Sequence, residues 1–327
     1  MTGVSVVRTG SFGLGMAAVS AATFGTSGTF ADALMGSGWT PGAAVTVRIA
    51  LAAVILTIPA LLALRGNWHR LRQGISSIAT YGLVAIAGCQ LFFFSAVEHL
   101  SVGVALLLEY SGTLLVVLWM WLRHGHRPTR LTMTGGAVAI VGLVLVLDLT
   151  GPQRVDLVGV LWGLGAAAGL ATFFVLSAHS GHSEGLPPIA MAWTGMVLGA
   201  STLGAFALAG ILPFHAGTAD VDFAGHTTSW LVPVIGVALL ATVIAYTTGI
   251  TAARSLGARS ASFVGLAEVL FAILFAWLLL DQQPSLSQLV GGIVVLTGIA
   301  LVRRGEQPAD EPEGAAAMQI PLAGASS

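Results

Sequence analysis

Three side chains in this sequence stand where charge is costly. Arg48, Glu109 and Glu268 each lie inside a long run of apolar residues. Burying such a group at membrane depth costs at least ~2.5 kcal/mol, so an intramembrane charge marks a substrate or ion pathway or a partnered pair. Two readings of Arg48 and Glu109 stand side by side. In one they form a buried ion pair that locks two helices together. In the other Arg48 meets a substrate carboxylate and Glu109 meets an amino group or a proton. Glu268 has no evident basic partner in its own layer and has two readings as well: a proton-carrying carboxyl, or a protonated glutamic acid hydrogen-bonded to neighbouring backbone. Tyr110, next to Glu109, and Tyr246 read as cavity lining, with Phe92, Phe93 and Phe94 nearby.

These residues need a frame, and composition says what kind. The chain has 327 residues, 56% of them hydrophobic and 8% charged. A soluble domain carries about 25% charged residues. Mean hydropathy is +0.90. No water-soluble globule of this size hides that much apolar surface, so the chain reads as a membrane protein. A net charge of -1 with no basic domain argues against nucleic-acid binding. Cys89 is the single cysteine, which rules out a disulfide framework.

A membrane helix needs about 20 mainly apolar residues. Ten stretches qualify, near 11–33, 41–63, 75–97, 101–122, 131–149, 156–178, 188–211, 230–250, 258–280 and 286–302. The fold class is therefore an all-α membrane protein, with the longest connection at 212–229. Helix rise puts Arg48, Glu109 and Glu268 roughly 10, 12 and 15 Å from their nearest boundaries, in one slab around the midplane.

Arginine placement gives the topology. All 13 basic residues are Arg. Arg8, Arg65, Arg70, Arg72, Arg123, Arg127, Arg130, Arg254, Arg259, Arg303 and Arg304 fall in one alternate set of connections. Arg154 alone falls in the other, so both termini are expected in the cytoplasm. The first stretch is read as a retained span rather than a cleaved leader, because it has a counterpart in the sixth.

The two halves resemble each other. At an offset of 156, Trp121 meets Trp277, Pro128 meets Pro284, Gly135-Gly136 meet Gly291-Gly292, and Gly142 meets Gly298. At 150, Gly13-Leu14-Gly15 meet Gly163-Leu164-Gly165, and Phe24 meets Phe174. One register kept across two spans and the turn between them reads as a repeat. Five spans per copy is an odd number, so the second copy enters the membrane inverted, as in secondary transporters. The expected organisation is a first repeat at 1–150, an inverted second repeat at 151–304 and a disordered cytoplasmic tail at 305–327.

Other features read blandly. Gly159/Gly163, Gly165/Gly169 and Gly195/Gly199 are small-residue pairs for close helix packing. Trp39, Trp121, Trp230 and Trp277 read as interfacial belts. His124/His126 and His179/His182 read as solvated loop residues, without the further ligands that a metal site needs. No Ser-His-Asp set, HExxH helix or Walker loop is present, and no metal, cofactor or enzymatic role is expected.

Span two reads Thr40-Pro41-Gly42-Ala43-Ala44-Val45-Thr46-Val47-Arg48-Ile49-Ala50-Leu51. Span four reads Val104-Ala105-Leu106-Leu107-Leu108-Glu109-Tyr110-Ser111-Gly112-Thr113. Span nine carries Ala267-Glu268-Val269, with Asp281 further on. This pattern resembles the EamA-type members of the drug/metabolite transporter superfamily, and span four resembles threonine/homoserine-exporter-type members in particular. Two family prolines are replaced here, by Thr113 and Val269. The resemblance implies export of small metabolites, such as amino acids, driven by an ion gradient.

Together these readings predict a multi-pass secondary transporter of a bacterial cytoplasmic membrane. It effluxes a small polar metabolite by alternating access with the proton as coupling ion, and its partners are that substrate and the lipid bilayer. The alternatives are an uncoupled facilitator or channel on the same scaffold, an enzyme acting on lipids, and a receptor or assembly scaffold.

Overall fold

Turn chemistry sets where the helices of this protein begin and end. A computed structural model describes residues 3–66, 68–100, 102–125, 127–147, 156–179, 186–281 and 283–305. The expected tail beyond Gly305, Arg154, His126 and His182 lie outside the described residues, as do the side chains of His124 and His179. The first half holds α1 (Gly3–Gly25), α2 (Ser27–Gly36), α3 (Pro41–Ala63), α4 (Trp68–Gln73) and α5 (Ile75–Thr80). A π-helical turn at Tyr81–Gly88 follows, then α6 (Cys89–His99), α7 (Val102–Tyr110), α8 (Gly112–His124) and α9 (Arg130–Val146). The second half holds α10 (Leu157–His179), α11 (Pro188–Leu208), strands β1 (Val221–Phe223) and β2 (His226–Thr228), and α12 (Leu231–Ala238). It ends with a second π-helical turn at Leu239–Ile244, α13 (Ala245–Gly265), α14 (Ala267–Leu280) and α15 (Leu286–Gly305).

Seven helical stretches among the described residues are long and apolar enough to cross a membrane: Pro41–Ala63, Ile75–Phe93, Ala105–Arg123, Leu157–Ala178, Pro188–Leu208, Leu231–Gly265 and Leu286–Gly305. Arg130–Val146 and Ala267–Leu280 are shorter apolar helices. The differences from the expected ten have local causes. The first stretch is split at Thr26, whose hydroxyl donates to the Thr23 carbonyl at 2.6 Å and competes with the helix ladder. The eighth and ninth are joined through α13, which breaks at Gly257 (φ 79°, ψ 160°), a conformation open to glycine alone.

The connection at 212–229 corrects the all-helical expectation. β1 and β2 form an antiparallel hairpin closed by Ala224-Gly225, both at positive φ as a two-residue hairpin turn requires. Phe223 stacks on Phe30 at 5.2 Å. The same connection takes Trp39 out of its expected belt role: Trp39 is buried, rests against Trp230 and donates to the Gly217 carbonyl at 2.8 Å.

The offset of 156 reappears in three dimensions. Gly125 ends α8 at φ 68° and its counterpart Asp281 ends α14 at φ 55°. Thr129 and Ser285 then cap α9 and α15, accepting from Thr132 N at 3.1 Å and Gln288 N at 3.3 Å. Gln288 completes the Ser285 capping box, taking the Ser285 N–H at 2.9 Å.

The seam between α9 and α15 is reciprocal. A Cβ on Gly135 would meet Val302 N at 2.6 Å, and one on its counterpart Gly291 would meet Val146 N at 2.6 Å. One on Gly142 would meet Val295 N at 2.5 Å, and one on Gly298 would meet Ala139 N at 2.4 Å. Every contact maps onto the other under the same offset, which is the mark of a local two-fold axis. Low numbers on one helix face high numbers on the other, so the equivalent helices run antiparallel. The wider packing repeats the pattern: α1 lies along α13 and α14, while its counterpart α10 lies along α6, α7 and α8.

Two apolar clusters fill the interior. One gathers Ile49, Leu56, Tyr81, Ile86, Met196, Leu203 and Tyr246. The other gathers Tyr110, Leu143, Val146, Phe263, Leu266, Val295 and Val302. Leu170 of α10 packs against both.

Candidate functional site

A chamber of about 90 Å³ opens where these clusters meet. Its walls come from α1 (Ala17, Ser20, Ala21, Phe24), α6 (Cys89, Gln90), α7 (Glu109, Tyr110), α10 (Leu170, Phe173, Phe174), α13 (Tyr246, Gly249, Ala252, Ala261, Gly265) and α14 (Glu268), with Ala85 from the first π turn. Both halves of the chain therefore supply walls, and the chamber lies between them.

Backbone irregularities aim the chamber residues. The π turn Tyr81–Gly88 runs straight into Cys89 and Gln90, and the π turn Leu239–Ile244 runs straight into Ala245 and Tyr246. Thr242 donates to the Val237 carbonyl, five residues back, at 2.8 Å and reinforces the wider turn. Such bulges rotate the residues that follow and recur at functional sites. Both carboxyl-bearing residues lie beside helix breaks. α7 ends at Tyr110, directly after Glu109, and α14 begins at Ala267, directly before Glu268. At the first break Thr113 donates to the Tyr110 carbonyl at 2.9 Å. The hydroxyl thus interrupts the ladder at the position where the resembling family carries proline. At the second break Val269 N bonds back to Leu266 O at 3.2 Å in a tightened turn.

Four of the five expected site residues meet here: Glu109, Tyr110, Tyr246 and Glu268. Glu109 Oε1 lies 3.4 Å from Cys89 Sγ, whose single proton is shared with the Ala166 carbonyl at 3.4 Å. The Tyr110 hydroxyl is engaged with the Glu268 carboxyl, and Gln90 with the Tyr246 hydroxyl. Phe24 and Phe173 meet the Tyr246 ring edge-on at 5.0 and 5.5 Å and hold it.

Arg48 does not join them. It is 7% exposed, lies behind the chamber wall, and donates from Nη1 to Ser27 Oγ at 2.8 Å. Its Nε has no partner. It forms no ion pair with Glu109 among the described residues, so the locking pair is not made. Its charge is still felt by Glu109, Glu268 and Tyr246. Phe92 turns away and stacks with Trp162 at 5.5 Å.

Sequence reasoning missed Ser20, Cys89, Gln90, Phe173 and Phe174 as chamber residues. Gln90 was within reach, because it is the counterpart of Tyr246 at the offset of 156. Another relation follows from that offset: Glu109 corresponds to Gly265, and Glu268 to Gly112. Each carboxyl has a glycine as its partner in the other half.

Residues 11–148 and 157–304 each match the model of the EamA-like transporter family. The chain belongs to the EamA-like transporter family. It is thus a multi-pass membrane transporter of the drug/metabolite type with its EamA unit duplicated, from a family of transporters rather than enzymes. It is similar to an inner membrane transporter of Salmonella typhimurium, YicL, described as uncharacterized. Identity is 22% over 236 residues, covering 71% of this chain and 74% of the relative. A solved crystal structure superposes with a TM-score of 0.71 at 19% identity, over 91% of this chain and 99% of its own. That likeness speaks for the fold alone. The duplicated match brackets the two groups of segments that face each other across the chamber.

Proposed function

We propose that this transporter exports a small polar metabolite, an amino acid of the threonine or homoserine kind, in exchange for protons. One observation carries the reading: Glu109 and Glu268 share a single chamber with no cationic side chain lining it. A carboxyl pair of this sort accepts a proton or a cargo ammonium group, and the two compete. Tyr110 links to one of the carboxyls and Cys89 to the other, and the two carboxyls feel each other's charge, so loading one is felt at the other. The chamber has room for roughly six waters or a small solute.

A ten-segment organisation in two units would suit alternating access. In this reading 1–150 and 151–304 are five-helix units of opposite orientation, both termini are cytoplasmic, and the protein resides in a bacterial cytoplasmic membrane. The antiparallel, reciprocal seam of α9 and α15 supports the inversion, and the arginine distribution supports the sidedness. The chamber opens to each side in turn as equivalent helix breaks exchange shapes.

Reconstitution in proteoliposomes tests the reading. An imposed pH gradient should drive accumulation of threonine or homoserine analogues. Glu268→Gln should abolish the gradient-driven part while leaving the protein folded and exchange at equilibrium measurable. Flux that ignores the pH gradient in the unaltered protein would make this an uncoupled facilitator instead.

A further inference from the structure

A second polar cluster lies outside the chamber, where the π turn, α10 and α13 come together. Tyr81 and Ser177 are fully buried, and their hydroxyls have each other within reach and no further partner among the described residues. The two face each other across the α10 interface, and the Arg254 guanidinium lies within electrostatic reach of Tyr81. Arg254 is poorly served: its Nη2 rests on the Met191 thioether at 3.6 Å and its Nε has no partner. Buried polar groups left short of partners typically cost ~1–3 kcal/mol each, so the cluster needs an explanation. Hydroxyls and a guanidinium all offer protons, and together they form a donor array for an oxyanion.

Position narrows the ligand. Tyr81 packs on Phe173 at a ring separation of 6.0 Å, and Phe173 lines the chamber. Gly195 makes room for the Tyr81 ring, since a Cβ there would sit 2.7 Å from Tyr81 Cδ1. Ser177 is the counterpart of Ser27 at the offset of 150. Ser27 already holds a guanidinium, that of Arg48. The acidic chamber is thus flanked by two arginines: Arg48, closed on Ser27, and Arg254, beside the Tyr81–Ser177 pair with its Nε unpaired among the described residues. Arg254 precedes by three residues the break at Gly257, where a Cβ would meet nothing within 4 Å. The Arg254 cluster therefore adjoins a hinge with room to move.

We propose that Tyr81, Ser177 and Arg254 form a second cargo station, which takes a carboxylate on the arginine-rich side of the chamber before the cargo amino group reaches Glu109 and Glu268. The station rests on the export reading for its role, and it narrows the cargo to solutes bearing a carboxylate as well as an amine.

The test is binding to the full-length purified protein, followed by thermal shift. Sodium propionate supplies the carboxylate, and n-propylammonium chloride supplies the amine. Sodium chloride and inorganic phosphate are the competing anions. Propionate should stabilise the protein where chloride at equal ionic strength does not, and it should do so better than phosphate. Arg254→Gln should weaken propionate binding at least about tenfold, and Tyr81→Phe and Ser177→Ala about three- to tenfold each. The propylammonium response should survive Arg254→Gln and disappear in Glu268→Gln. If Arg254→Gln does not fold, the two hydroxyl deletions carry the test, because each removes a single oxygen. An unchanged propionate response in all the folded variants, loss of that response in Arg48→Gln alone, or tighter binding of phosphate would overturn the station. An intact propionate response on these residues without proton-driven flux would instead count against the export reading alone.

Discussion

The seam of α9 and α15 and the chamber between the halves obey the same internal two-fold and use it in opposite ways. At the seam Gly135, Gly142, Gly291 and Gly298 each press on facing backbone, and the distances match across the axis to about 0.1 Å. In the chamber equivalent positions carry different chemistry: Glu109 against Gly265, Glu268 against Gly112, Gln90 against Tyr246, Cys89 against Ala245. Packing energy depends on shape, so the scaffold keeps its symmetry wherever backbones touch. Binding one cargo in one orientation depends on chemistry, so symmetry is given up where side chains face the void. The glycines opposite the carboxyls are themselves constrained. A Cβ on Gly112 would lie 2.5 Å from the Ala167 carbonyl oxygen, so no side chain fits there without moving α10.

The sharpest way to break this comparison is to add one methyl group at the seam. Gly298→Ala and Gly142→Ala each drive a Cβ into the facing backbone, at 2.4 and 2.5 Å. Overpacking of this kind costs ~1–3 kcal/mol, and backbone cannot swing aside as a flexible side chain can, so the upper end is expected. Gly15→Ala and Gly204→Ala, where a Cβ meets nothing within 4 Å, should be neutral or slightly stabilising. Equilibrium unfolding in mixed SDS micelles measures all four. Equal effects at the seam and at the open sites would show that the reciprocal contacts carry no weight.

A smaller effect is expected behind the chamber wall. Ser27 Oγ is the hydrogen-bond partner of Arg48, and Ser27→Ala would leave a buried guanidinium wholly unpaired at a cost of ~1–3 kcal/mol. Adding Arg48→Met should recover most of that loss, because an apolar side chain has nothing to satisfy. A double-mutant cycle in the same unfolding assay reads the coupling. If the double variant is no more stable than Ser27→Ala alone, Arg48 is held by something other than this serine.

The frame was legible in the sequence because turns are written in local chemistry. Gly125, Pro128 and Thr129 set one corner, and Asp281, Pro284 and Ser285 set its counterpart, so the register survived intact. Azimuth was not legible: helix rise gives Arg48, Glu109 and Glu268 one expected depth, yet Arg48 turns to Ser27 and does not line the chamber. The π turns at Tyr81–Gly88 and Leu239–Ile244 also escaped notice. They rotate everything after them and share no residue signature, since the first holds Gly82 and Gly88 and the second holds no glycine. The hairpin had a signal in Ala224-Gly225, which an apolar membrane reading passes over. A single cysteine such as Cys89 offers neither a disulfide nor a cysteine-based metal site to a sequence reading, and its contact with Glu109 joins residues twenty positions apart on different helices.

The smallest expected effect concerns the one corner where the repeats differ without a chamber to explain it. Gly125 and Asp281 occupy the same left-handed position after α8 and α14, at φ 68° and 55°. Glycine adopts that conformation freely, whereas an L-residue meets its own carbonyl, somewhat less severely for aspartate. The Asp281 carboxylate is exposed and makes no hydrogen bond among the described residues, so nothing local offsets the strain. Asp281→Gly should therefore stabilise the protein by about 0.5 kcal/mol, and Gly125→Asp should cost a similar amount. Opposite signs of matched size in the unfolding assay would show that the two corners are energetically the same corner. Destabilisation by Asp281→Gly would instead mean that the carboxylate serves this end of the molecule, and that the asymmetry of the chamber extends to the surface above it.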